Sequence, residues 1–248
     1  MKNFDKPVVH LYVLCWNEEK LLPHFLKHYK NVVDKFFVYD NESTDNTIKI
    51  LNNEPNVSII SVRTNNTIRD DFYFKIKNFE WKKSIGVADI VIVIDMDEFL
   101  YTENMEQFFI DFHNSSATII KPIGYDMIKL DFDITKSEYV VNDIKYGSLN
   151  NIFHKTVAFK PSFITDINYG VGAHYSQPRG VVKFFDQESK LLHYKYLGLN
   201  YYLERMEIYG LRNSEFNKNH GFGYQYNMPR KDMINDFNNK LSKSNKVI

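Results

Sequence analysis

The sequence predicts an α/β fold: a mostly parallel sheet flanked by helices, with mixed or antiparallel strands added in the second half. Three observations lead there. Over residues 1–100, short β-prone apolar runs alternate with helically spaced apolar residues in the order β-α-β-α-β-α-β. The run Ile90-Val91-Ile92-Val93-Ile94 is β-branched and uninterrupted, as expected of a strand buried on both faces in the middle of a parallel sheet. After Leu100 the rhythm gives way to brief extended pieces separated by long loops.

Each element has a local reason. Residues 8–15 are apolar and β-prone, the expected first strand. It runs into Trp16-Asn17-Glu18-Glu19, where Asn17 reads as a helix N-cap and Glu18 and Glu19 fall in the first turn, the end of the helix dipole that favours acids. Leu21, Leu22, Phe25, Leu26 and Tyr29 then follow helical spacing, with Pro23 early enough to be tolerated. A second strand over residues 35–39 ends in Asp40-Asn41-Glu42-Ser43-Thr44-Asp45-Asn46-Thr47, a capping-rich turn, and a helix runs on through Ile48 and Leu51. Residues 57–62 form a third strand, Phe72, Ile76 and Phe79 mark a helix over residues 71–86, and the run at Ile90 is the fourth strand, joined by right-handed crossovers. Met105, Phe108, Phe109 and Phe112 predict a further helix. Residues 117–121, 127–130, 155–159 and 181–185 are extended pieces, and residues 199–211 a helix with Tyr202, Met206 and Tyr209 on one face. From Arg230 the chain is polar, either a frayed tail or a weakly amphipathic surface helix. No internal repeat or Gly/Ser linker divides the chain, so residues 1–248 read as one domain, with halves 1–100 and 101–229 and a polar tail 230–248.

Composition narrows the classes. Lys and Arg number 31 against 31 Asp and Glu, and this zero balance excludes a general nucleic-acid binder, which draws its affinity from a basic surface. The single cysteine, Cys15, excludes an intramolecular disulfide and a zinc–cysteine site and suggests a reducing compartment. Aromatics reach 16%, but they accompany a general Asn, Lys and Ile bias and do not by themselves indicate sugar stacking. Residues 1–7 have no apolar signal core, and no run approaches the roughly 20 apolar residues of a membrane span. The expectation is a soluble, cytoplasmic protein, with peripheral contact at the inner face of a membrane left open through Arg230, Lys231, Lys240, Lys243 and Lys246.

The fourth strand stops on Asp95-Met96-Asp97-Glu98. Open α/β sheets bind ligands beyond the carboxyl ends of their strands. On an extended chain Asp95 and Asp97 present their carboxylates on one side, hard oxygen donors suited to Mg²⁺ or Mn²⁺ carrying a substrate's phosphates. The plainer alternative is a strand ending in a solvated turn. The long apolar lead-in and the trailing Glu98-Phe99-Leu100 favour the metal site.

Three segments now in hand, Cys15-Trp16-Asn17-Glu18-Glu19, the stretch Asp40 to Thr47, and the acid-tipped strand through Leu100, recur in that order in glycosyltransferases of the family 2 type. The chain most resembles the branch that includes family 92 and its bacterial relatives. Downstream, Lys155-Thr156-Val157-Ala158-Phe159-Lys160-Pro161, then Gly172-Ala173-His174, then His193-Tyr194 are similar to the second half of that branch. Lys121-Pro122-Ile123-Gly124-Tyr125-Asp126 stands where relatives often carry an aromatic-rich segment with Trp and Phe-Gly, so the acceptor side departs from the pattern.

The resemblance implies a GT-A-like nucleotide-sugar transferase: metal-dependent, inverting, of hexosyltransferase type. It would use a UDP-sugar to extend a glycan or glycolipid of the cell surface, capsule or lipopolysaccharide. Trp16 would stack on uracil and Asp40 accept the hydrogen bond of its imide. Asp97 would hold Mn²⁺ or Mg²⁺, Asp95 the ribose or the metal through water, and His193 would be a further ligand, with His174 a weaker candidate or a residue facing the acceptor. Lys82, Asn78 and Arg69 would touch phosphate or sugar. The base that takes the acceptor's proton is Asp126 by its position after a strand, with Glu98, Asp131 and Asp133 as rivals. Asn41, Ser43 and Asp45 read as caps and turn residues and Glu18 as a helix-start acid. The alternatives are a sheet-edge cover for Trp16, turn formation for Asp40, and an ordinary core or surface imidazole for His193. For the whole chain they are a non-catalytic nucleotide- or glycan-binding relative, and a sugar-phosphate nucleotidyltransferase. The latter would want a Gly-rich basic loop where Leu14-Cys15-Trp16-Asn17-Glu18 stands.

Overall fold

The structure, a computed structural model, describes residues 6–248, so the N-terminal stretch read as lacking a signal core falls largely outside it, over residues 1–5. The expected alternation is present as β1 (Val9–Cys15), α1 (Leu22–Tyr29), β2 (Lys35–Asp40), α2 (Thr47–Leu51), β3 (Val57–Ser61), α3 (Asp70–Phe79) and β4 (Ile90–Asp95). There follow β5 (Glu98–Tyr101), α4 (Met105–Asn114), β6 (Ile119–Ile120), β7 (Ile123–Lys129), α5 (Val140–Asp143) and β8 (Tyr146–Leu149). The chain continues through β9 (Ala158–Phe159), β10 (Ile164–Asp166), β11 (Arg179–Gly180), β12 (Lys190–Leu197), α6 (Leu199–Arg212), α7 (Glu215–Asn219), α8 (Arg230–Ser242) and β13 (Asn245–Lys246).

The central sheet has the order β3-β2-β1-β4-β9-β6. Its first four strands are parallel and the two added strands antiparallel, the mixed α/β class expected. Alternation along β4 builds two cores at once, because successive side chains point to opposite faces. Ile90, Ile92 and Ile94 pack with Leu11, Val13, Leu22 and Phe25 beneath α1. Val91 and Val93 pack with Tyr12, Trp81 and Phe159 on the other side. Each such fully buried side chain contributes about 1.5–3 kcal/mol, which is why this stretch tolerates no polar residue before Asp95.

The second sheet, β13-β8-β7-β12-β5, begins immediately after the first. Only Met96 and Asp97 separate β4 from β5, so Glu98-Phe99-Leu100 is a strand of a different sheet and not the fading end of β4. β5 runs antiparallel to β12, which runs parallel to β7. A third cluster, Ile128, Tyr196, Tyr202, Met206, Met233 and Phe237, joins this sheet to α6 and α8. The turn from β12 into α6 requires glycine: Gly198 has φ +85°, and a Cβ there would stand 2.5 Å from the Phe132 carbonyl oxygen.

Several local expectations are corrected. Asn17 does not cap α1; it takes a left-handed conformation (φ 47°), and its Oδ1 accepts from the Thr44 amide at 2.7 Å, pinning the two loops together. α1 starts only at Leu22 with no acid in its first turn, since Glu18 is drawn inward by Arg205. The helix expected over residues 71–86 is α3 followed by a 3₁₀ turn at Glu80–Ser84. Residues 181–185 form no strand. Backbone bonds still join them to the start of β6, from the Thr118 and Ile119 amides to the Lys183 carbonyl and from the Phe185 amide to the Ile119 carbonyl. The Thr118 hydroxyl accepts from the Lys183 amide and donates to the Val181 carbonyl, but the contact amounts to a single bridge, Phe184 to Ile119. Asp126 lies within β7, not after a strand. Of the two alternatives for the polar stretch from Arg230, the weakly amphipathic surface helix holds and the frayed tail does not: α8 buries only Met233 and Phe237, and Lys246 belongs to β13. Among the described residues no helix is long and apolar enough to cross a membrane.

Candidate functional site

The carboxyl ends of β1 and β4, the second sheet and the α6–α8 region enclose one cleft of about 680 Å³. Open parallel sheets form such a crevice where the chain leaves their strand ends. Asp97 stands at its centre, on the two-residue step between sheets. Its Oδ2 is 3.4 Å from His193 Nε2, while His193 Nδ1 donates to Asp126 Oδ1 at 2.8 Å. Pairing of β7 with β12 sets this up, since Asp126 and His193 are register partners. Asp126 also accepts from Asn150 at 2.7 Å and from the Lys240 ammonium of α8. Phe153 stacks on the His193 ring, 4.1 Å between centroids.

The electrostatics follow from this chain of contacts. Burial disfavours the His193 cation, but the Asp97 charge and the Asp126 hydrogen bond outweigh it and raise its pKa to about 9. Burial likewise opposes ionisation of Asp97 and Asp126. His193 holds the Asp97 carboxyl well below the usual range, and His193 and Lys240 bring Asp126 to about 2. Without a metal, His193 is therefore an imidazolium between two carboxylates.

Asp95, the other acid of the motif, faces cations. Its Oδ1 lies 2.6 Å from Lys77 Nζ, and its Oδ2 is 3.7 Å from Lys155 Nζ. Lys155 in turn pairs with Glu98 at 2.6 Å, both side chains almost wholly buried, and Glu98 accepts from the Asp95 amide. Burial raises the Glu98 pKa despite Lys155.

A divalent ion fits part of this donor set. Asp97 and the Nε2 of His193 lie close enough to share one ion. A histidine whose other nitrogen donates to a carboxylate is the usual arrangement of a metal-binding imidazole. Asp95 is already committed to two lysines. Among the described residues no group of three or more His, Cys, Asp and Glu side chains converges as a complete protein cage.

The structure brings Trp16, Asp95, Asp97, Glu98, Asp126, His174 and His193 to the cleft. One face of Trp16 is covered by Arg212, whose guanidinium carbon is 3.5 Å from the ring centroid, and its Nε1 donates to Asn66. His174 lines the wall with its pKa lowered to about 4 by burial and by Lys155. Asp40 does not reach the cleft: its carboxylate accepts from the Ser43 amide and closes the left-handed turn at Glu42. Lys82 points away and pairs with Asp166 at 2.6 Å. Asn78 is buried against the Tyr169 backbone, Arg69 is forked on Asp71, and Asp133 caps the turn at Thr135; none of these lines the cleft, nor does Asp131.

Sequence reasoning missed several lining residues. Arg205 makes a two-pronged ion pair with the buried Glu18 at 2.6 and 3.0 Å and donates to the Tyr201 hydroxyl. Arg212 donates to Asn41 Oδ1 at 2.6 Å, an atom that also accepts from the Tyr73 hydroxyl. Asn41 is thus a buried joint of the wall and not a cap. The missed signal was on α6, where Arg205 and Arg212 share the helical face of Tyr202 and Tyr209. Lys195 of β12 also lines the cleft, and burial lowers its pKa.

No family model and no curated protein matches the chain. Similar solved structures include S. aureus TarS, at 16% identity and a TM-score of 0.44, covering 94% of this chain and 43% of that one. A shorter TarS form, residues 1–349, matches at 15% identity and a TM-score of 0.42, and the same form in complex with UDP at 16% and 0.44; each comparison covers 93% of this chain and 70% of the other. The chain thus spans less than half the length of full TarS.

Proposed function

We propose that the chain is a glycosyltransferase that takes a sugar from a nucleoside diphosphate, most simply UDP, and passes it to a glycan or glycolipid hydroxyl with the help of Mg²⁺ or Mn²⁺. The observation that carries this reading is the line Asp97–His193–Asp126 at the carboxyl end of β4, in the cleft of about 680 Å³. Asp97 and His193 would hold the ion, and Asp126 would orient the imidazole from behind. When bound, the ion supplies Lewis-acid neutralisation of the charge left on the departing diphosphate. With only two ligands from the chain, it would draw the rest from substrate and water, as Mg²⁺ and Mn²⁺ do when they carry phosphates.

The other residues have tasks of their own in this reading. Lys77 and Lys155 hold Asp95 ionised and fixed in direction, fit to accept from a ribose or sugar hydroxyl. Trp16, backed by Arg212, offers its remaining face to a base. Asp126 is saturated by His193, Asn150 and Lys240, so it acts in positioning and not as the base. Glu98, locked to Lys155, supports Asp95.

The test is calorimetric titration of UDP and GDP into wild type and Asp97→Ala, each with and without Mn²⁺. The expected result is UDP binding that needs Mn²⁺ and weakens more than about 100-fold in Asp97→Ala. Absence of binding by both nucleotides under all conditions sinks the reading. Mn²⁺-dependent hydrolysis of a UDP-sugar without acceptor then separates a transferase from a binder, which would turn nothing over.

A further inference from the structure

The cations lining the cleft are not equally engaged. Lys77 pairs with Asp95, Arg205 with Glu18 and Lys240 with Asp126. Arg212 gives its N–H groups to Asn41 and to the Asn66 carbonyl. Lys195 alone among them has neither a hydrogen bond nor an ion pair among the described residues.

Its position is not that of a surface lysine. Lys195 lies two residues past His193 on β12, in the bulged stretch where β12 loses register with β7. Its ammonium stands 5.6 Å from the ring centroids of both Tyr196 and Tyr202. Both hydroxyls donate to the same oxygen of Asp236, at 2.9 Å each; Asp236, Asp126 and Asp97 are the carboxylates near the ammonium, and among the described residues none forms an ion pair with it. A partly buried ammonium with no counter-charge in contact is costly, and the cost is relieved when an anion arrives.

We infer that Lys195 forms a subsite for an anionic group of a bound substrate, a phosphate or a carboxylate. This rests on the transferase reading for its context, where the anion is either the distal phosphate of the donor or an acid group carried by the acceptor. Lys195 belongs to the second sheet, on the same strand as His193, and lines the same cleft as Trp16, Tyr73 and Arg212.

The experiment compares wild type, Lys195→Met, which keeps an unbranched apolar stem, and Lys195→Arg, which keeps the charge. UDP and UMP are titrated into each with Mn²⁺, and inorganic phosphate into each both free and saturated with UDP. A donor subsite is expected to weaken UDP about tenfold in Lys195→Met with UMP unchanged. An acceptor subsite leaves UDP unchanged but weakens phosphate binding to the UDP-loaded protein by about the same factor. In either case Lys195→Arg stays near wild type, which sets a lost charge apart from a damaged fold. Equal UDP and phosphate isotherms for wild type and Lys195→Met overturn the subsite. If UDP fails to bind wild type, the transferase reading falls separately, and phosphate alone decides: binding to free wild type that Lys195→Met abolishes keeps the subsite, and no such difference removes it.

Discussion

His193 and His28 are displaced in opposite directions, and each contributes to one limb of the pH dependence of stability. His193 is raised to about 9 by Asp97 and Asp126, against the opposing effect of burial. Its contribution is complete below about pH 6.5, the unfolded value, and is lost as pH rises through 9. His28 is lowered to about 4 by burial; its Nε2 donates to the Leu100 carbonyl at 2.7 Å and its Nδ1 accepts from the Tyr139 hydroxyl at 2.6 Å. The Nδ1 contact demands the neutral ring, and burial opposes the cation more than the Leu100 carbonyl favours it, so stability present above pH 6.5 is lost as pH falls towards 4. In metal-free buffer with a chelator, the unfolding free energy from urea titrations should peak near pH 6.5 and fall by roughly 2–3 kcal/mol on each side. His193→Gln is expected to flatten the alkaline limb and, by releasing Asp97 and Asp126 from its charge, to alter the acid side as well, whereas His28→Gln eases the acid limb alone and in part, since buried His174 shares it. At the same scale, Asp126→Asn should weaken Mn²⁺-dependent UDP binding by about 10–100-fold by titration calorimetry while leaving Mn²⁺-independent binding alone. Asp97 and His193 were legible as residues because a strand end and a late histidine are sequence signals. Asp40 was misread because its own turn offers its carboxylate the Ser43 amide, a local bond that wins before any ligand arrives.

Elements are positioned by a few junctions that tolerate little. Gly198→Ala puts a Cβ against the Phe132 carbonyl at positive φ, and should cost more than about 1 kcal/mol in urea unfolding while displacing α6, which carries Arg205 and Arg212. Phe237 packs edgewise on Tyr196 and Tyr202, ring centroids 5.8 and 5.6 Å away. Phe237→Ala should cost about 3–5 kcal/mol and loosen α8, so that thermal melting falls and Lys240 no longer screens Asp126. If melting drops while the alkaline limb of stability keeps its wild-type slope, α8 supports the fold but not the charge line. Strands β1 to β4 were readable because their apolar runs serve two cores and leave no ambiguity of period. The extended piece over residues 181–185 was not, because its backbone bonds to Thr118 and Ile119 close only one bridge, too short a pairing to make the strand that β-propensity anticipates. Polar α8 concealed two buried residues among thirteen, too sparse a stripe to mark a packed face.

At the scale of the molecule, the class and the first sheet were evident from alternation, whereas the second sheet was visible only as scattered pieces. Its pairing joins β5 to β12 and β13 to β8, strands about ninety residues apart, and nothing local records such a register. The cleft is correspondingly half legible: Asp95 and Asp97 follow from the readable sheet, while Asp126, Asn150, Lys195, Arg205 and Lys240 come from the later part of the chain.

The two-residue step between β4 and β5 has a consequence for assembly on the ribosome. The central sheet has all its strands once residue 159 has emerged, and its cores can close around β4 at that point. β5 cannot, since its partner β12 ends at Leu197. Asp97 therefore waits on the rim of a formed sheet without His193, and Asp126 without Lys240, until the later chain arrives. A nascent chain halted between those two lengths would hold the scaffold and the acids without the imidazole that joins them, so the Asp97–His193–Asp126 line is completed only after the second sheet has closed.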